Sequence, residues 1–219
     1  MAIIRRLSLK MLLVLTSLQH AFQDGAAALT LEDDVYALEG ENVVLLCVMD
    51  YKGSRPIMKP NGDWTWKGGE GNPSIETLSK YGFGSAPTKG KSNLAQRSRV
   101  VTTTHKGNFS LVVHGVRASD SGCFKCHITY NHYVASASRQ LHVVRVTFNG
   151  LRPALEREAV TLTCHASERI VTWSTPGAGK RSGATVEIKA LTVEDHGRWT
   201  CRVQIGERTL ETSYQLDVL

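Results

Sequence analysis

Asp120-Ser121-Gly122-Cys123-Phe124-Lys125-Cys126 and Asp195-His196-Gly197-Arg198-Trp199-Thr200-Cys201 spell one pattern twice, Asp-x-Gly-x-aromatic-x-Cys. Each copy lies downstream of an apolar stretch that carries an earlier cysteine. Val43-Val44-Leu45-Leu46-Cys47-Val48 precedes the first, and Val160-Thr161-Leu162-Thr163-Cys164 precedes the second. The second stretch alternates with period two, which puts Val160, Leu162 and Cys164 on one face of a strand. The pattern is therefore an internal repeat of one structural unit, and its parts have separable roles. The cysteine points inward to bridge two sheets, and the aromatic two residues earlier points the same way to close one end of the core. The glycine permits a tight turn into the strand. The aspartate is placed to pair with a basic side chain near the opposite sheet.

These surroundings select the bridges Cys47–Cys126 and Cys164–Cys201 and leave Cys123 unpaired within the chain. A bridge across about 80 residues is worth about 4.5 kcal/mol in the chain-entropy picture, a large share of the stability of a small domain. A tryptophan on the strand after the first cysteine completes the set. Trp173 fits in the second half, next to the motif's own Trp199. Trp64 and Trp66 compete in the first half, and Trp66 is the expected core residue. Cysteine, tryptophan and the seven-residue motif together form the immunoglobulin signature. The fold class expected is all-β, two immunoglobulin-like sandwiches in tandem.

The organisation follows from this. Residues 1–28 carry Arg5, Arg6 and Lys10, then the apolar run Met11-Leu12-Leu13-Val14-Leu15, then Ala26, Ala27 and Ala28. Basic, apolar, small is the order of a secretory signal peptide. The run is too short to span a bilayer, which takes about 20 apolar residues. Residues 29–144 are expected to form a domain with strands at 43–49, 64–67, 98–103, 108–114, 123–130 and 136–144, and with loop-rich segments at 51–63 and 68–90. The distance between Cys47 and Cys126 leaves room for extra edge strands, which makes it variable-type. Residues 145–219 are expected to form a short constant-like domain without room for an extra edge pair. No glycine-, proline- or serine-rich break separates the two, so one continuous strand and a stiff rod are expected. If the chain ends at Leu219 the protein is secreted; otherwise a membrane anchor is expected beyond it.

Composition narrows the function. Hydrophobic residues make up 42% and charged residues 21%, ordinary for a globular protein. The formal charge is +6, and removing Arg5, Arg6, Lys10 and Asp24 with the leader lowers it to +4. No basic run is interleaved with aromatics, so nucleic acid is not an expected partner. Cys123-Phe124-Lys125-Cys126-His127 matches a haem-attachment and redox spacing. On a strand, however, residues three apart face opposite ways, and Cys126 is already required by the sandwich. Cys123 then faces outward, either as a free thiol or as a bridge to another chain. His127, His132 and His142 read as surface histidines rather than metal ligands, and no catalytic motif stands out. Neither an enzyme nor a cofactor is expected. Asn108-Phe109-Ser110 is a glycosylation sequon; with Phe109 pointing inward, Asn108 points outward.

With these residues in place, the chain resembles the first two domains of the helper-T-cell co-receptor family that binds class II MHC, with a related lymphocyte-activation inhibitory receptor close behind. Thr88-Lys89-Gly90-Lys91-Ser92-Asn93-Leu94, Gly107-Asn108-Phe109-Ser110-Leu111 and Gly197-Arg198-Trp199-Thr200-Cys201 carry the resemblance. It implies a T-cell surface receptor whose first domain docks on class II MHC. Lys89 matches the family's binding loop. Phe83 stands three residues early for its apical phenylalanine, and the place of its arginine falls near Val101, with Arg97 and Arg99 as neighbours. The expected binding face is thus Phe83, Lys89, Lys91, Arg97 and Arg99: an aromatic among glycines, ringed by cations. Phe83 either anchors the ligand or folds back beneath its loop. The alternative reading is a generic or secreted immunoglobulin adhesion or regulatory protein with another protein ligand.

Overall fold

The computed structural model describes residues 28–30, 34–50, 60–68, 74–82, 85–101, 107–130, 133–167 and 170–219. The fold is all-β, with two immunoglobulin-like sandwiches joined end to end. The expected leader and Phe83 lie outside the described residues, apart from Ala28.

In the first sandwich, β1 (Ala28–Thr30) pairs with β4 (Val48–Asp50). β2 (Val35–Leu38) runs parallel to the last strand of the domain. The back sheet is β3 (Val43–Leu45), β9 (Leu111–Val113) and β8 (Ser98–Val100), in the order β3-β9-β8. The front sheet runs β11-β10-β5-β6-β7. Its members are β5 (Asn61–Gly68), β6 (Ile75–Gly82), β7 (Ser85–Lys89), β10 (Gly122–Tyr130) and β11 (Tyr133–Asn149). The short helix α1 (Asn93–Arg97) links β7 to β8.

Two expectations are corrected here. Residues 43–49 do not form one strand, because the ladder breaks at Leu46 and Cys47. Cys47 is satisfied instead by the Ser110 hydroxyl, which accepts its N–H at 3.1 Å, and by the Phe109 N–H, which donates to its carbonyl at 2.8 Å. Nor is 68–90 a loop throughout. β6 and β7 extend the front sheet there, since Leu78 and Tyr81 reach the core while the ladder with β5 satisfies the backbone. Glycine content marks the ends of these strands and hides the strands themselves.

β11 is 17 residues long and belongs to both domains. It pairs with β10 over residues 133–141, with β2 over 141–144 and with β12 (Val160–His165) over 145–149. β15 (Thr185–Ile188) completes that sheet beyond β12. The opposing sheet of the second sandwich is β14-β13-β16-β17. It comprises β13 (Val171–Ser174), β14 (Lys180–Ser182), β16 (Gly197–Ile205) and β17 (Arg208–Leu216). β14 was not anticipated: the Gly/Pro turn at 176–179 makes a hairpin that adds one short edge strand to the constant-like plan. Two separate apolar cores result. One is built around Trp64, Phe109, Phe124 and Leu141, the other around Trp173, Trp199, Leu162 and Val186.

Candidate protein-binding surface

Each core is stapled between its sheets. Cys47–Cys126 and Cys164–Cys201 are bonded, with Cα separations of 6.5 and 6.3 Å. Trp173 stands opposite Cys201 in the ladder, and the residue in the same register opposite Cys126 is Trp64. Trp66 is therefore not the counterpart of Trp173. It is buried one step along, opposite Phe124, where its indole N–H donates to the Asp120 carbonyl at 3.1 Å. Two tryptophans two residues apart face the same side of a strand, so burial admits both and only the register separates their roles.

Cys123 is the free cysteine among the described residues. It lies half-buried on the outer face of the front sheet, between Lys67 and Gln140 in register, while Cys126 is bridged on the inner face. The cysteines of the haem-like spacing are thus separated by the sheet itself. The histidines do not converge: His127 Nδ1 sits 3.3 Å from Asp63, and His142 lies 3.6 Å from Asp34 while stacking on Tyr36. His132 lies outside the described residues. Among the described residues no cluster of three or more His, Cys, Asp or Glu could hold a metal ion.

The expected binding face divides. Ser92 caps α1 by accepting the Ala95 N–H, and Leu94 and Ala95 anchor the helix to the core. That placement turns Arg97 inward. Its guanidinium makes a bidentate pair with Asp120 at 2.7 and 2.8 Å, and donates to the carbonyls of His114 and Gly115 and to Asn93 Oδ1. Asp120 is 4% exposed and also accepts the Arg117 N–H. With its donors consumed, Arg97 is removed from the binding rim: it is the basic partner of the motif aspartate.

Lys89, Lys91 and Arg99 remain exposed. Lys89 Nζ donates to the Gln96 carbonyl at 3.2 Å, and Gln96 Nε2 returns a bond to the Gly90 carbonyl, tying the end of β7 to α1. Arg99 points outward from β8 between buried Ser98 and Val100. The front sheet's edge therefore meets the back sheet's edge at a small cationic corner. Asn108 is half-exposed, and its Oδ1 accepts the Ser110 N–H at 3.0 Å.

At the domain junction a groove of about 360 Å³ is lined by Ser121, His142, Arg145 and His165. Burial first, and then the Arg145 guanidinium, hold the His165 imidazole below its ordinary pKa, with Glu39 opposing. Among the described residues, no helix is long and apolar enough to cross a membrane.

Over 119 residues the chain is 25% identical to the rat protein named "T-cell surface glycoprotein CD4", covering 52% of this chain and 25% of that protein. The chain thus spans about a quarter of that relative's length. A solved structure titled "Structure of amphioxus IgVJ-C2 molecule" is 22% identical, with 84% of this chain and 99% of that chain covered at a TM-score of 0.35. Residues 30–144, a span equal to the first sandwich, match the family described as immunoglobulin V-set domain. The chain belongs to the immunoglobulin V-set family.

Proposed function

We propose that this chain is the ligand-binding ectodomain of a T-cell surface receptor, directed to the secretory route by residues 1–28. Its first domain would bind a protein ligand, class II MHC, without catalysis. The observation that carries the reading is the cationic corner of Lys89, Lys91 and Arg99, left exposed where β7, α1 and β8 meet. It stands beside the sequence likeness to a T-cell surface glycoprotein. In this proposal the three cations form a steering rim for an acidic partner, speeding encounter more than they deepen affinity. Asn108 carries an N-glycan, and the second domain holds the first away from the cell surface through the shared strand β11. Phe83, as the apolar anchor, remains part of the proposal.

Cells with and without class II MHC, stained with purified ectodomain, test this. Selective staining of the class II cells is expected. Lys89→Glu with Lys91→Glu should weaken it by roughly tenfold without lowering Tm. Equal staining of both cell types would instead identify another surface protein as ligand and favour the adhesion reading. Staining that is selective but indifferent to the charge reversal would keep the ligand and discard this corner.

A further inference from the structure

The outer face of the second domain's β14-β13-β16-β17 sheet carries mainly basic, hydroxyl and amide side chains. Alternation sends Trp199, Cys201 and Val203 inward, so Arg198, Thr200, Arg202 and Gln204 point outward. The register then extends each across the sheet. Thr200 stands beside Ser174, and Ser174 beside Lys180; Arg202 stands beside Thr172, and Thr172 beside Ser182. On the far side, Glu211 is the single carboxylate in these paired rows, and it is bound to Arg202 at 2.5 Å. The Ser174 hydroxyl also accepts from Arg202, which orients that guanidinium. Lys180, Arg181 and Arg202 line a shallow depression of about 420 Å³ with Thr172, Ser174 and Ser182, and with Trp173, whose side chain is buried on the inner face. The face presents no aromatic or large aliphatic side chain in these rows.

Composition and spacing define what such a face can recognise. A protein partner usually seats an aromatic or aliphatic anchor in an apolar pocket, and none is offered here. Neighbouring strands lie about 4.8 Å apart and outward residues along a strand about 6.8 Å apart, so Lys180, Arg198 and Arg202 form a triangle roughly 12 Å on a side. Two of these long side chains can converge on one carboxylate or phosphate, whereas a chain carrying repeated anionic groups gives each cation its own partner. Hydroxyl and amide side chains between the cations suit the hydroxyl groups of a sugar. Stacked bases would require an aromatic platform, which is missing. Two disulfides place the chain in an oxidising compartment, where polyanions are carbohydrate-borne at cell surfaces.

We infer that this sheet face of the second domain binds a sulfated polysaccharide, with Lys180 and Arg198 as the free cations and Arg202 as a fixed one. The site is independent of the first-domain corner, so one could hold the receptor at a glycan-rich surface while the other meets its protein ligand.

The test uses the whole ectodomain with heparin as the probe. The parent should leave immobilised heparin at higher salt than it leaves a sulfonate cation exchanger. Lys180→Ala with Arg198→Ala should weaken heparin binding by roughly fivefold at physiological salt, the sum expected of two exposed ionic contacts. Lys89→Ala with Arg99→Ala removes the same charge elsewhere and should leave heparin binding unchanged. Matching Tm values among the three proteins confirm that folding is intact. The inference is overturned if both double variants lose heparin equally, which would reduce binding to net charge. It is equally overturned if heparin and the sulfonate resin release the parent at the same salt. Single-stranded DNA bound as tightly as heparin, through the same two residues, would replace the polysaccharide with nucleic acid.

Discussion

In the first domain the motif aspartate, Asp120, lies beneath the surface with its carboxylate clamped by Arg97 and by the Arg117 N–H. In the second, the Asp195 carboxylate accepts from Thr192, through the backbone N–H and the hydroxyl, both at 3.0 Å. Both residues sit at the end of a 3-10 turn leading into the strand with the second cysteine. The difference arises on the opposite side of each sandwich. The first domain has α1 and β8 to bring an arginine under the turn, whereas the second passes from β14 to β15 with only two residues between them. One local motif thus supports two energetic roles: a buried ion pair joining the sheets in one domain, a turn cap in the other.

Removing the aspartate should expose this difference most. Asp120→Ala leaves the largely buried guanidinium of Arg97 uncompensated and should cost about 3 kcal/mol or more. Asp195→Ala loses a cap and should cost about 1 kcal/mol. Scanning calorimetry of the two variants would show the first lowering its domain's transition far more than the second. Equal losses would mean that the clamp adds nothing to the turn.

The motif glycines sharpen the contrast. Gly122 and Gly197 have φ of 149° and 129°, a region that side chains rarely adopt. A methyl group on Gly122 would lie 2.4 Å from the Lys67 carbonyl oxygen, on a hydrogen-bonded strand that cannot retreat. On Gly197 it would meet the Pro176 ring at 3.1 Å, in a turn with room to give. Gly122→Ala should therefore cost about 3 kcal/mol and Gly197→Ala about 1 kcal/mol, as read from urea midpoints.

The smallest effect lies where the domains meet. Folding lowers the His165 pKa from its ordinary 6.5, so the neutral ring is the form the fold prefers. The stability this contributes is present above that pH and is lost as pH falls below it toward the lower folded value. Arg145 reinforces the shift, and Glu39 opposes it. His165→Gln should make the urea midpoint fall less between pH 7.5 and pH 5.5 than it does in the parent. An unchanged pH profile would show that the junction does not sense the proton.

The candidate site was only partly legible in advance. Lys89, Lys91 and Arg99 could be picked out as exposed cations because they flank a turn and a short strand. Arg97 could not be separated from them, since two arginines two residues apart on a presumed strand read alike. The helix α1 changes the period between them and turns Arg97 under the domain. Trp64 and Trp66 posed the same difficulty, because both point inward and only the ladder with β10 assigns the position opposite Cys126. The basic face of the second domain left a visible trace in Arg198-x-Thr200-x-Arg202. Its extent was hidden, because Lys180 and Ser174 reach it only through strand pairing.

The sequence by itself determined the repeated Cys–Trp–Cys unit, the all-β class and the shared strand, because these rest on alternation and on glycine and cysteine spacing within short stretches. Tertiary structure alone decided that Arg97 is the partner of Asp120, where the front-sheet strands run within the glycine-rich segment, and which cations face solvent. Those features depend on contacts between residues far apart in the chain. Such pairings are selected by the free energy of the assembled core and not by any local preference.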